Sequence, residues 1–332
     1  MPEPLLRVEN LRVELPIRRN VLTAIDDISF TIGPGEVLGV VGESGAGKSL
    51  TGAAIIGLLE PPLRIAAGRV TLAGRRIDNL PSEAMRRIRG REIGAIFQDP
   101  LTSLNPLCTI GRQLIETIHT HLDLSPAAAR DRALALLREV GIAGAEARID
   151  HYPHQFSGGM RQRVVIALAI AANPRLIIAD EPTTALDVSI QAQIIALLKR
   201  LCGDHGTAVM LVTHDMGVIA ETAHRVAVMY AGRIVEIGEV AEVVAHPRHP
   251  YTRGLIDAIP RIGGRRQRLR QVDGAMPRLG EIPQGCAFSP RCPEAVDRCR
   301  RQGPNLLPAG GTEAACWLYD KVLLPAQEAF DD

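Results

Sequence analysis

Lysine is nearly absent from this 332-residue chain: Lys48, Lys199 and Lys321 stand against 35 arginines. A compact ammonium and a planar guanidinium are not interchangeable, and one of these rare lysines is expected to matter. Aromatics are scarce too, one Trp, four Tyr and five Phe, which excludes an aromatic surface for stacking nucleic-acid bases and leaves a mostly aliphatic core. No apolar run approaches the roughly 18 residues of a membrane-spanning helix; residues 164–172 reach half that. Met1-Pro2-Glu3-Pro4 lacks the basic patch and apolar stretch of a secretory signal, so a cytoplasmic chain, or one peripheral to a membrane, is expected. With 38 basic and 37 acidic side chains the net charge is +1, and no global field draws the chain to nucleic acid or an anionic bilayer. Six cysteines are too few for a disulfide scaffold, yet four of them crowd between Cys286 and Cys316.

Length allows about two domains. Short β-type runs at 5–15, 27–32 and 37–41 open the chain, and the third is almost continuously aliphatic, as in a strand covered on both faces. Runs at 93–97, 176–179 and 208–213 share that character with helical patterns between them, which predicts an α/β domain with a mainly parallel sheet. Between about 100 and 165 helix signals dominate: Ser125 suits an N-cap, Pro126 the first turn, and Gly141 a helix end. A helical lobe packed on the sheet is expected there. After Pro260 the arginine-rich stretch 261–270 loses apolar periodicity and reads as a linker, dividing a nucleotide-binding domain at 1–260 from a small Cys-rich domain at 261–332.

Gly42, Glu43, Ser44, Gly45, Ala46, Gly47, Lys48 and Ser49 fit GxxxxGK[ST], directly after the 37–41 run and before a helical run at 50–59. In such a loop backbone N–H groups curl round phosphate, the lysine reaches the β/γ oxygens and the hydroxyl ligates Mg2+. An apolar strand also ends in Asp180 and Glu181, where one carboxylate can hold a metal-bound water and its neighbour can orient or deprotonate an attacking water. Ser157, Gly158 and Gly159 open a third apolar helix and offer another anion site, although Ser-Gly-Gly by itself is an ordinary helix entry.

Taken in order, the phosphate loop at 42–49, Gln98 after a strand, Phe156-Ser-Gly-Gly-Met160, Asp180-Glu181, Ala185-Leu-Asp187 and His214 resemble the ATP-binding subunit of ABC transporters over about residues 5–250. The resemblance implies a P-loop α/β domain that dimerises head to tail, each ATP lying between one subunit's phosphate loop and the other's Ser-Gly-Gly signature. It implies that Lys48 binds phosphates and that Ser49 and Gln98 ligate Mg2+. Asp180 would hold the metal's water, Glu181 would be the general base or the water-polarising residue, and His214 would contact the γ-phosphate. Ser157, Gly158 and Gly159 would complete the partner's site, and Asp187 would couple the two sites. Two positions depart from the pattern. Phe156 and Met160 replace the usual Leu and Gln, and the aromatic that usually stacks on adenine upstream of the phosphate loop has no obvious counterpart; Leu15 stands roughly where it belongs.

The segment Gln98-Asp-Pro-Leu-Thr-Ser-Leu-Asn-Pro106, His249-Pro-Tyr-Thr252 and the late cysteines resemble the dipeptide/oligopeptide and nickel branch of ABC importers. That branch implies a second, non-identical ATPase subunit, two integral-membrane permeases contacted around 98–112, an external substrate-binding protein, and a peripheral location on the cytoplasmic face of the inner membrane. Import of peptides is the first expectation; nickel or another small solute, and a non-transport regulatory ATPase, are the alternatives. Cys286, Cys292, Cys299 and Cys316 suit a metal by number, and zinc or a cubane cluster both fit four thiolates. Resemblance to members of this branch favours [4Fe–4S]. Cys108 and Cys202 read as ordinary buried residues.

Overall fold

A computed structural model describes residues 3–18, 20–184, 186–259 and 272–320. The 261–270 linker and Ala185 lie outside the described residues. β1 (Leu6–Ile17) and β2 (Asn20–Ile32) pair antiparallel throughout. The second strand starts at Asn20 rather than 27, because pairing with β1 satisfies backbone groups that no side-chain alternation advertises. β3 (Val37–Val41) is buried at every position and leads into α1 (Lys48–Ile55). β4 (Arg64–Leu72) joins the free edge of β1, followed by the short β5 (Arg75–Arg76), α2 (Ser82–Ile88) and β6 (Ile93–Ile96).

The helical lobe comprises α3 (Pro100–Ser103), α4 (Ile110–His121), α5 (Pro126–Glu139), α6 (Ala145–Arg148) and α7 (Gly158–Ile170). As expected, the Ser125 hydroxyl caps α5 by accepting the Ala128 N–H, and Gly141 leaves the helix at φ +78°. The chain returns through β7 (Leu176–Asp180), α8 (Val188–His205), β8 (Ala208–Thr213), α9 (Met216–Thr222), β9 (Arg225–Tyr230) and β10 (Arg233–Glu239). It closes with α10 (Val240–Ala245), α11 (Pro250–Asp257), α12 (Asp297–Arg301), β11 (Leu307–Ala309) and β12 (Thr312–Ala314).

The main sheet runs β6-β7-β8-β3-β9-β10-β12-β11, parallel from β6 to β9 and antiparallel beyond. A separate antiparallel sheet, β2-β1-β4-β5, covers one face, an element that helix–strand alternation does not foretell. β3 explains its own composition: Val37 and Val41 enter the core under the helical lobe, while Leu38 and Val40 enter the core beneath the second sheet. Because β3, β6, β7 and β8 are parallel neighbours, everything that follows their C-terminal ends meets on one sheet edge.

The Cys-rich segment does not pack as a unit of its own. β12 pairs with β10, placing Thr312 opposite Gly238 and Ala314 opposite Glu236, and Phe288 belongs to the core under the helical lobe. So few apolar residues cannot close an independent core, and the segment borrows the main sheet's edge. Cys202 is buried as expected, its thiol donating to the Gly35 carbonyl at 3.3 Å, but Cys108 is only half-buried.

Candidate active site

The phosphate loop is shaped by its glycines. Gly47 caps α1 at φ +103°, and a side chain on Gly42 would meet the Met229 carbonyl at 2.3 Å. Ala46 is buried beneath the loop, its carbonyl accepting the Gly232 N–H at 2.9 Å. The Lys48 ammonium, 5% exposed, donates to the Gly42 and Glu43 carbonyls at 2.8 and 3.1 Å. Burial lowers its pKa, and the carboxylates of Glu181, Asp180 and Glu43 partly oppose that. The Ser49 hydroxyl donates to Asp180 Oδ1 at 2.9 Å. Burial raises the Asp180 pKa; Ser49 and Lys48 counter that shift, whereas Glu181 adds to it.

Residues after β6, β7 and β8 close one end of this cavity. Gln98 Nε2 donates to Glu181 Oε2 at 3.0 Å, the Thr184 hydroxyl donates to the same oxygen at 2.8 Å, and His214 Nδ1 lies 3.5 Å from Glu181 Oε1. Glu181 holds φ +46°, a left-handed conformation rare for a side-chain-bearing residue. Gly42, Glu43, Ser44, Gly45, Gly47, Lys48, Ser49, Gln98, Glu181 and His214 line a single cavity of about 1130 Å3. The Ser49 hydroxyl and the Gln98 amide that line it, with the Asp180 carboxylate bonded to Ser49, are oxygen ligands that suit the hard Mg2+ ion.

Ser157, Gly158, Gly159 and Asp187 are not among the residues lining that cavity. They form their own corner, in which the Ser157 hydroxyl caps α7 by accepting the Met160 N–H and Asp187 caps α8 by accepting the Ile190 N–H at 2.9 Å. That bond, with the Ser189 hydroxyl, holds the Asp187 carboxyl below its usual range. The two helix starts touch: a side chain on Gly159 would meet Ile190 at 2.7 Å. The departures from the usual signature have internal roles. Phe156 is buried against the His151 edge, and the Met160 sulfur accepts from Arg148 at 3.0 Å.

Two contributors to the loop's position escape sequence reasoning. The Glu43 N–H donates to the Tyr251 hydroxyl at 2.8 Å, and Tyr251 is fully buried. His249 Nδ1 accepts the Tyr251 N–H at 3.1 Å while Glu236 accepts the His249 N–H at 2.8 Å, so His249-Pro-Tyr-Thr252 is a clamp on the phosphate loop. Burial pushes the His249 pKa down to about 3 and keeps its ring neutral. The second contributor is Arg291. Its side chain, 7% exposed, grips both Glu43 oxygens at 2.8 and 3.0 Å and lies over the Tyr230 and Phe288 rings. Tyr230, Tyr251 and Phe288 stack edge to face or tilted within 5.4 Å of one another, an aromatic knot in an otherwise aliphatic core. Three chain segments far apart in sequence supply it, so no local pattern reveals it.

Cys286, Cys292, Cys299 and Cys316 do converge, on a cavity of about 220 Å3 shared with His249, Phe288 and Trp317. All four are free thiols, and burial raises the pKa of Cys286, Cys292 and Cys316, the last to about 11. Among the described residues, no group of three or more His, Cys, Asp or Glu side chains is arranged to hold a metal ion. Among the described residues the four cysteines thus line one cavity without forming a closed metal site.

A P-loop ATPase built on a parallel sheet with a helical lobe is the class that this fold and site define. Residues 25–184 match the ABC transporter family, and residues 235–299 match the oligopeptide/dipeptide transporter C-terminal region. The chain is 48% identical over 322 residues to a probable peptide ABC transporter ATP-binding protein of Sinorhizobium fredii, covering 96% of each. It is 46% identical over 313 residues to the dipeptide transport ATP-binding protein DppD of Escherichia coli, covering 94% of this chain and 96% of that one. A dimeric ATP-binding cassette solved with ADP and Pi superposes with TM-score 0.64 at 30% identity, covering 71% of this chain and 98% of its own. The chain belongs to the ABC transporter family, as an ATP-binding subunit carrying the oligopeptide/dipeptide transporter C-terminal region.

Proposed function

We propose that this chain hydrolyses ATP to power import of di- or oligopeptides through a membrane ABC transporter. The observation that carries the reading is the single cavity in which Lys48, Ser49, Gln98, Glu181 and His214 meet, in a chain so similar to peptide-transport ATP-binding proteins. Lys48 binds the β- and γ-phosphates, and the loop's backbone N–H groups cradle them. Mg2+, when bound, neutralises charge on the phosphates, with Ser49 and Gln98 as ligands and Asp180 holding its water. Glu181, fixed by Gln98 and Thr184, orients and deprotonates the attacking water, and His214 contacts the γ-phosphate.

Ser157, Gly158 and Gly159 complete the site of a second ATPase subunit, which returns its own, and Asp187 couples the two. Exposed Phe97, Leu101 and Leu107 flank Gln98 at the entry to the helical lobe and suit the permease contact, so closure of the ATPase pair becomes a rigid-body movement of the permeases. Two permeases, an external binding protein and a non-identical ATPase partner make up the assembly, with this subunit peripheral on the inner membrane's cytoplasmic face. Among the described residues no helix is long and apolar enough to cross a membrane.

The four cysteines that line one cavity would supply the four thiolates of a [4Fe–4S] cluster, with zinc as the alternative. Such a cluster would cross-link four points of a segment with little core of its own. Protein prepared without oxygen should then be brown, absorbing near about 400 nm, and colourless protein would remove the cluster. For the ATPase, Glu181→Gln should bind ATP normally and lose about 100-fold or more in turnover in the assembled transporter. Hydrolysis at the wild-type rate would show that the base lies elsewhere.

A further inference from the structure

A nucleotide with its phosphates on the 42–49 loop has one direction open to its base. Gln98, Glu181 and His214 close the cavity where the terminal phosphate reacts, so the nucleoside must run toward the opposite end. That end is lined by the apolar Ala24, Leu255, Met276, Pro277, Leu279 and Ile282, with exposed Arg278 beside them. Four of the six come from one short stretch beyond the linker, far from any phosphate motif. Leu15, where the missing aromatic is expected, is paired with Leu22 in the β1–β2 hairpin and is not among the lining residues.

We infer that residues 276–282 form the base-binding wall of the ATP site, holding adenine by apolar contact in place of an aromatic stack. The wall is anchored at both of its neighbours. Arg291 donates to the Val272, Asp273 and Gly274 carbonyls at 3.0, 2.7 and 3.3 Å while gripping Glu43, so one guanidinium ties the start of the stretch to the phosphate loop. The Met276 Cγ lies 3.9 Å from where a side chain on Gly45 would begin, and the turn Leu279–Glu281 packs against β2. Met276 and Ile282 also touch the cores, whereas half-buried Leu279 belongs to neither core among the described residues, so its side chain is free to meet a ligand. The apolar side chains of the wall contribute by area, which suits the face of a flat purine.

The inference rests on the phosphate-site reading above, and its test separates the two. Calorimetry on the full-length chain would compare MgATP with Mg-tripolyphosphate, which has the phosphates and no base. Leu279→Ala combined with Ile282→Ala should weaken ATP about tenfold and leave tripolyphosphate within about twofold. Leu279→Ala alone, which removes nothing from either core, should show a smaller loss of the same kind. Leu15→Ala should leave ATP within about twofold, and Lys48→Ala should lose both ligands. Unchanged ATP affinity in the double variant, equal loss of both ligands, or a larger loss from Leu15→Ala would overturn the wall. Tripolyphosphate binding that survives Lys48→Ala would overturn the phosphate site, and the placement of the base with it.

Discussion

The two ends of the nucleotide cavity are built by opposite rules. At the phosphate end, eight consecutive residues supply the loop, and its partners Gln98, Glu181 and His214 sit just past the ends of adjacent parallel strands. At the base end, Ala24, Leu255, Met276, Pro277, Leu279 and Ile282 supply apolar area from three parts of the chain, with Arg278 beside them. Phosphate demands donors at fixed spacing, so its site must be a motif. A purine face demands burial, and any segment that can be held in place will serve. What holds this one is Arg291, so the less constrained end depends on a single well-partnered cation.

The largest expected effect tests the phosphate end. Lys48→Arg should reduce ATP turnover about 100-fold or more, despite keeping the charge, because a planar fork does not fit between the Gly42 and Glu43 carbonyls. A turnover assay on the assembled transporter would decide it, and near-normal activity would mean that the loop tolerates what its geometry forbids.

Arg291→Ala should come next. It leaves three carbonyls and the Glu43 carboxylate without their donor, and since Glu43 is 30% exposed the loss should be about 2–3 kcal/mol, less than for a fully buried pair. Thermal unfolding would record it as a lower Tm, and ATP affinity should fall alongside. Arg291→Lys should recover under half of the loss, since one ammonium cannot serve five acceptors. Full recovery with lysine would reduce the tether to simple charge.

The smallest effect concerns the seam between the ends. His249 has a folded-state pKa of about 3 against 6.5 for the free side chain, so between those values the unfolded chain binds the extra proton. Stability contributed by neutral His249 is therefore present above about pH 6.5 and is lost as pH falls toward 3. His249→Asn keeps an acceptor for the Tyr251 N–H without titrating, and should make the acid loss of stability shallower in that window. Identical slopes for the two proteins, measured by denaturant titration at several pH values, would assign the acid sensitivity to other groups.

How far the sequence was legible follows the same divide. The 37–41 run could be read as a strand covered on both faces because sandwiching between two cores requires aliphatic residues, broken only at Gly39, where a side chain would meet Ile219. The Ser125 cap and the Gly141 exit were readable because capping is settled within a few residues. The start of β2 was not, since its strand state comes from pairing with β1 and not from its own pattern. His249-Pro-Tyr-Thr252 could be noticed and its use could not, because the group it holds, the Glu43 N–H, lies about two hundred residues upstream. The cysteine count suggested a metal, while the shape of the space that the four thiols surround is set by the folding of α12, β11 and β12 onto the main sheet.

By itself the sequence determined the class of protein and the phosphate chemistry, since both are written in side-chain types at short, fixed spacings and in strand ends that a parallel sheet must align. Only the tertiary structure decided that the Cys-rich segment is an extension of the ATPase sheet, that Tyr251 and Arg291 hold the loop, and that an apolar stretch beyond the linker faces the base end. Those contacts join residues from about seventy to about two hundred and fifty positions apart through burial and hydrogen bonds, and such interactions leave no periodicity in the chain that makes them.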